Sequence, residues 1–277
     1  MKVSFIGGGA RVEACYKFFE GRSGFQPIGF FCNPISGCNE IAQKYNCAIF
    51  LDTDSLCNAS EIIVIATEDA MLPAVIQTLT RLHINDKIII SIAEGISSHD
   101  LNTGYDNTYI ALTAPAPFEQ MNDKEIKEVT AVCEGYGDKY DLVCNFFNLS
   151  GMNVTPLTPA QMRLYRANMH LLRSGILALG ITAAKLSYML TDDKHHNISP
   201  AIRSAVRNAA QGTSAIAEPY KTGKPLQVKE LIEIFENNGI DSIAQLYGAV
   251  AKVLTENSDM ENDVADDIYR MVRRINH

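Results

Sequence analysis

The residues of this chain best suited to chemistry begin at its first glycines. Val3-Ser4-Phe5-Ile6 is a short β-like run, Gly7-Gly8-Gly9-Ala10-Arg11 follows it, and a helical stretch opens near Val12. Glycines between a strand and a helix let the backbone approach phosphate oxygens, and the helix N-terminus offers unpaired N–H groups. That arrangement holds the pyrophosphate of a dinucleotide. Set against G-x-G-x-x-G, Gly7 and Gly9 match, and Val12 stands where a third small residue packs helix on strand. A tight structural turn needs glycine as well, so a Rossmann-like domain that binds no nucleotide stays open.

The second strand ends at Cys32-Asn33-Pro34. An NAD site has Asp or Glu there, to hold the ribose 2′-hydroxyl. Asn33 does not repel a 2′-phosphate, and Asn33, Ser36 and Arg11 offer it donors, which leans toward NADP. The other reading of Asn33 is an Asn-Pro turn. Ligands of an open α/β sheet sit at the carboxyl ends of the strands, so Thr67, Asp69 and Ala93 join the cofactor set and Glu94 faces the substrate.

A second cluster lies on a long helical stretch, where Arg163, Tyr165, Arg166, Asn168, His170 and Arg173 gather near one end. A guanidinium clamps a carboxylate with two parallel hydrogen bonds, a role open to Arg163 or Arg166. Tyr165 or His170 would donate a proton, with Asn168 a further substrate contact. The competing reading is the polar face of a long helix. His195-His196 sit in a polar run without a third ligand at metal spacing, and Asp259 to Asp267 lacks the order of a calcium loop, so no metal is expected.

The elements that position these residues change character near residue 157. Before it, β-like runs at 27–32, 61–66, 87–92 and 109–113 alternate with helical stretches. Short runs at 129–134 and 153–157 flank a helix at 138–149. This is the pattern of a doubly wound parallel sheet, a Rossmann-like domain over 1–157. After it, 158–277 reads as an all-helical domain. Thr158-Pro159 starts a helix of about 30 residues, roughly 45 Å long. Met162, Tyr165, Met169, Leu172, Ile176, Leu179, Ala183, Leu186 and Leu190 form an apolar seam along it. Further helices are expected at 199–218, 226–236, 241–254 and 260–275, the last with Ser258 and Glu261 as a capping box. A seam of that length predicts a homodimer through the helical domain.

Composition excludes several classes. Of 277 residues, 24 are basic and 32 acidic, a net charge of −8, which suits neither a nucleic-acid binder nor a polybasic membrane-surface protein. No run approaches the roughly 18 apolar residues of a membrane span, and Met1-Lys2 leads straight into a strand without a signal-peptide layout. Seven cysteines without a C-x-x-C pair predict reduced thiols in a cytoplasmic protein.

Several segments together resemble the pyrroline-5-carboxylate reductase-like Rossmann superfamily, which includes deazaflavin-dependent NADP reductases. They are Phe5-Ile6-Gly7-Gly8-Gly9 with Glu13-Ala14, Ile65-Ala66-Thr67-Glu68-Asp69-Ala70-Met71, and Ser91-Ile92-Ala93-Glu94-Gly95-Ile96. Glu134-Gly135 and Arg163-Leu164-Tyr165-Arg166-Ala167 resemble a branch with a Rossmann-like domain, a helical domain and no assigned function. Arg166 stands where that branch has His, and Thr222 and Lys224 replace the Arg and Asp of its late turn. The resemblance implies an NADP-dependent oxidoreductase acting on a small carboxylate-bearing substrate. The alternative is a nucleotide-binding or regulatory protein that keeps the fold without catalysis, and a third reading is an interaction protein with a structural glycine loop.

Overall fold

The computed structural model describes residues 1–191, 198–212, 216, 219–220 and 223–275. The chain forms two compact units, Met1–Ile176 and Leu177–His277. The division falls inside one helix, whereas the sequence places the change at residue 157. The first half of that helix makes side-chain contacts with the α/β unit, which accounts for the difference.

The first unit is built on an eight-stranded sheet of order β3-β2-β1-β4-β5-β6-β7-β8. Its strands are β1 (Lys2–Ile6), β2 (Gln26–Phe31), β3 (Ala48–Ile49), β4 (Ile62–Ile65), β5 (Ile88–Ser91), β6 (Thr108–Thr113), β7 (Thr130–Tyr136) and β8 (Asn153–Pro156). β4 and β5 are buried along their whole length, as apolar runs covered on both faces must be. The expected parallel sheet holds from β3 to β6. It is corrected at β7, which pairs antiparallel with β6 in the register Ile110 to Gly135 and Thr113 to Val132. β8 then runs parallel to β7.

Helices α1 (Gly9–Phe19), α2 (Asn39–Tyr45), α3 (Thr53–Ala59), α4 (Leu72–Arg81), α5 (Asp123–Glu128) and α6 (Tyr140–Leu149) connect the strands. One core cluster gathers Phe5, Phe19, Phe30 and Phe147, and the other is built around Ile63, Ile65, Leu79 and Ile89. The parallel strands β1, β2, β4, β5 and β6 therefore end together at one rim, at Gly7, Cys32, Ala66, Ile92 and Ala114.

The reduced-thiol expectation is corrected at one pair. Cys32 and Cys38 form a disulfide across Cα atoms 5.8 Å apart, within the range a disulfide spans. The 3-10 turn Ile35–Cys38 after Pro34 folds the chain back and brings the two together. The other five cysteines are free.

Helix α7 (Pro159–Thr191) has 33 residues. Its start follows the sequence signal: Thr158 Oγ1 accepts the Gln161 N–H at 3.3 Å, and Gln161 Oε1 accepts the Thr158 N–H at 2.9 Å. That is a reciprocal capping box. In the second unit follow α8 (Ser199–Ala209), α9 (Pro225–Asn237), α10 (Asp241–Glu256) and α11 (Asn262–Ile275). Tyr220, Val228, Ile232, Ala251, Ile268 and Val272 make the core of α9, α10 and α11, while α8 buries no residue. Ser258 does not cap α11: its hydroxyl donates to the Thr255 carbonyl and closes α10 instead. His195, His196, Glu218 and Thr222 lie outside the described residues.

Candidate active site

The glycine loop closes β1 onto α1. Gly7 N–H donates to the Phe31 carbonyl at 2.9 Å, tying the loop to the end of β2. Gly7 has φ +133°, and a Cβ on it would stand 2.6 Å from the Ala66 carbonyl oxygen. Only glycine fits between β1 and β4 there. Gly9, at φ +69°, has the opposite surroundings: beyond its chain neighbours and its own helix backbone, no atom lies within 4 Å of where its Cβ would be. Val12 is fully buried and packs α1 on the core, so this larger residue fills the space a third glycine would leave.

A cavity of 660 Å³ opens over this loop, lined by Gly7, Gly8, Ala10, Arg11, Asn33 and Thr67 among others. Ser36 is exposed on the adjoining 3-10 turn, outside that lining. The Thr67 hydroxyl is buried without a hydrogen-bond partner. Gly8, the N-cap of α1, gives no side-chain cap to the first-turn N–H groups. An orphaned hydroxyl, uncapped N–H groups and open space at Gly9 fit the pyrophosphate of a dinucleotide.

Arg11 forms one wall. Its Nη1 donates to the Thr67 carbonyl at 2.8 Å and lies 3.7 Å from Asp69, while Nε and Nη2 donate to Glu119. Glu119 was not among the sequence candidates. It follows β6, and its position at the ligand-bearing rim was the one signal that pointed to it. Arg11, Glu68 and Glu119 also line a second cavity of 340 Å³, together with Asp69, Glu94 and Thr113.

Glu94, Thr113 and Ala114 in turn line a third cavity of 400 Å³, shared with Arg166, His170 and Arg173 of α7. Arg166 donates Nε and Nη2 to Thr113 Oγ1, both at 3.3 Å. Burial pulls its pKa down, opposed by the acids Glu134, Asp100, Glu94 and Asp69. Arg173 grips Glu94 with Nη1 to Oε1 at 2.8 Å and Nη2 to Oε2 at 2.9 Å. This holds the Glu94 carboxyl below its ordinary range and raises Arg173. His170 is exposed, its Nδ1 3.3 Å from Ser174 Oγ.

α7 thus brings Arg166 and His170 to one cavity, but not every candidate on it. Arg163 and Asn168 point to solvent. Tyr165 is half-buried, with its pKa raised by burial. Ala93 is buried, and its N–H donates to Ser91 Oγ at 3.1 Å. Glu134, buried on β7, accepts the N–H and hydroxyl of Ser98 at 2.8 and 3.0 Å and anchors that turn. Among the described residues no three His, Cys, Asp or Glu gather as metal ligands do.

No family model matches the chain, and no curated protein does either. Solved structures match along nearly its full length. A protein of Thermotoga maritima superposes with a TM-score of 0.69 at 16% identity, covering 92% of this chain and 97% of its own. A 1-pyrroline-5-carboxylate reductase from Streptococcus pyogenes gives 0.59 at 16% identity, covering 99% and 98%. A Myxococcus stipitatus imine reductase variant in complex with NAD+ gives 0.58 at 12% identity, covering 97% and 99%. The fold class is therefore plain: a Rossmann-type α/β fold with a helical C-terminal region. Within that class the chain has the fold shared by pyrroline-5-carboxylate reductases and imine reductases. No helix among the described residues is long and apolar enough to cross a membrane.

Proposed function

We propose that this chain is a nicotinamide-dinucleotide-dependent reductase acting on a small carboxylate-bearing C=O or C=N compound. One observation carries the reading: the three cavities share walls in series, from the glycine loop past Arg11 and Glu119 to Glu94, Thr113 and Arg166. A dinucleotide seated at the loop supplies hydride. This chain's residues hold its pyrophosphate at Gly7 to Arg11, and Thr67 meets it with the free hydroxyl. Arg166, which donates to the neutral Thr113 hydroxyl, takes the substrate carboxylate. His170 or Tyr165 delivers the proton.

NADPH is preferred over NADH because Asn33 brings no carboxylate to the ribose 2′ position. The active form is a homodimer through the helical region, with neither nucleic acid nor membrane as partner.

The experiment is a turnover screen of 2-oxo acids and cyclic imino acids, following loss of NADPH absorbance, with Arg166→Ala beside the wild type. Turnover by the wild type with a raised KM in Arg166→Ala is expected. NADPH binding without turnover of any carboxylate substrate would instead assign a non-catalytic nucleotide-binding role.

A further inference from the structure

The cavity on α7 contains two guanidinium groups, and they are not equivalent. Arg166 and Arg173 are seven residues apart, two turns and about 10.5 Å along the axis, on one face. Arg166 has a neutral partner, the Thr113 hydroxyl. Arg173 has both outer nitrogens taken by the two oxygens of Glu94. Both members of that pair are partly exposed, at 36% and 45%. The bidentate pair ties the loop after β5 to α7, and it also acts on the charge of the cavity that both residues line. What the pair does is cancel one of its two positive charges.

We propose that Glu94 restricts this site to substrates bearing a single carboxylate, by occupying the guanidinium that would receive a second one. The inference rests on Arg166 as the carboxylate anchor, as in the reading above. A monocarboxylate needs Arg166 alone and is accepted. A dicarboxylate must either displace Glu94 from Arg173 or place its second charge beside that carboxylate, and both cost affinity. Arginine side chains two turns apart on one face are long enough to converge on a short dicarboxylate once Glu94 is neutral. Glu94 is thus a specificity-determining residue, and Arg173 the cation it withholds.

Isothermal titration of the full chain, with NADPH present, tests this with propionate and glutarate as probes. Wild type should bind propionate more tightly than glutarate. Glu94→Gln should gain about tenfold or more in glutarate affinity, the scale of one added charge-assisted contact, with propionate little changed. The double variant Glu94→Gln/Arg173→Ala should lose that gain.

Three results would overturn the proposal: glutarate binding unchanged in Glu94→Gln, a gain that survives in the double variant, or a wild type that already prefers glutarate. A Glu94–Arg173 pair that merely staples the loop to α7 predicts the first of these. Thermal unfolding of each variant, with Glu94→Ala as a second substitution, separates misfolding from lost binding. Arg166→Ala distinguishes the underlying reading: if propionate binds it as well as wild type, the anchor is elsewhere and both fail. If only the Glu94 results fail, the anchor stands.

Discussion

Glu119 receives Arg11 through two nitrogens on a single carboxylate oxygen, Nε at 3.2 Å and Nη2 at 3.0 Å. The two residues are 108 apart in sequence, one on α1 and one after β6. Their pairing, with the Thr67 carbonyl on the third nitrogen, sets a guanidinium in the wall common to the glycine-loop cleft and the cavity beside it. A side chain held from two sides keeps the Thr67 carbonyl and Glu119 in fixed positions at the cleft wall.

Glu119 already meets the Arg11 charge, so Arg11→Ala should weaken NADPH binding by roughly threefold to tenfold through loosening of the Thr67 and Glu119 wall, the scale of one hydrogen bond lost. Fluorescence titration of the folded variant measures it. An unchanged Kd would remove Arg11 from the site.

The two positive-φ glycines of the loop should fail differently. Gly7→Ala drives a methyl group against the Ala66 carbonyl, so its effect should be on stability, about 1–3 kcal/mol, seen as a lowered Tm. Gly9→Asp has room for its side chain and should fold, with modest strain at φ +69°. Its carboxylate would occupy the space for pyrophosphate oxygens and abolish NADPH binding. Normal affinity in folded Gly9→Asp would sink the cofactor site.

Glu13 should dominate the acid limb of stability in the first unit. Its Oε1 accepts from Lys44 Nζ at 2.6 Å and Tyr45 OH at 2.8 Å, with Lys17 at 3.4 Å. Lys44 above all, then Tyr45, lowers its pKa from 4.5 to about 2. A carboxyl with a depressed folded pKa contributes stability that is whole above its unfolded value. That contribution is lost as pH falls from about 4.5 through about 2. With solvent screening at this partly exposed site the contribution is about 1 kcal/mol. Glu13→Gln should lose it at pH 7 and flatten the stability profile across that window. Denaturant titrations at pH 7 and near pH 3 check both, and an equal deficit at the two pH values would contradict it.

Much of the first unit was legible because it is written in local signals. The apolar runs of β4 and β5, the glycine loop, and Thr158-Pro159 with Gln161 each declare an element within a few residues. Strand direction is not local: Ala131, Val132 and Cys133 would be buried in either orientation, so nothing in β7 announced its antiparallel pairing. The Cys32–Cys38 bond needed the fold of the turn between them. The site divides in the same way. Gly7, Gly9 and Thr67 follow from the rule that ligands sit at strand ends. Glu119 depends on a contact across the rim that no spacing encodes. On α7, periodicity put Arg163 through Arg173 on one stretch without saying which reach a cavity. Arg166, His170 and Arg173 do, at steps of four and three residues, while Asn168 falls on the other side and Arg163, on the same face nearer the start of the helix, stays exposed outside that cavity.

The seam of α7 carries the last prediction. Met162 is buried, but Leu172 is 52% exposed and Leu190 85%, and Ile176 and Leu179 are exposed between them. Leu171, Leu177, Ile181 and Met189 add to the uncovered apolar surface. An uncovered apolar seam of this length marks an interaction site rather than ordinary surface. A second copy of the helix fits it best, since the 3-and-4 spacing that makes a seam on one helix makes the same seam on its copy. Obligate interfaces of this apolar kind commonly exceed about 2,000 Å². Sedimentation at micromolar concentration should give one species at twice 30.5 kDa. Leu179→Glu should convert it to a folded monomer, because a carboxylate at that exposed position is hydrated in the single chain and buried without a partner in the dimer. A wild type that sediments as a monomer, or a Leu179→Glu variant that stays dimeric, would place the contact elsewhere.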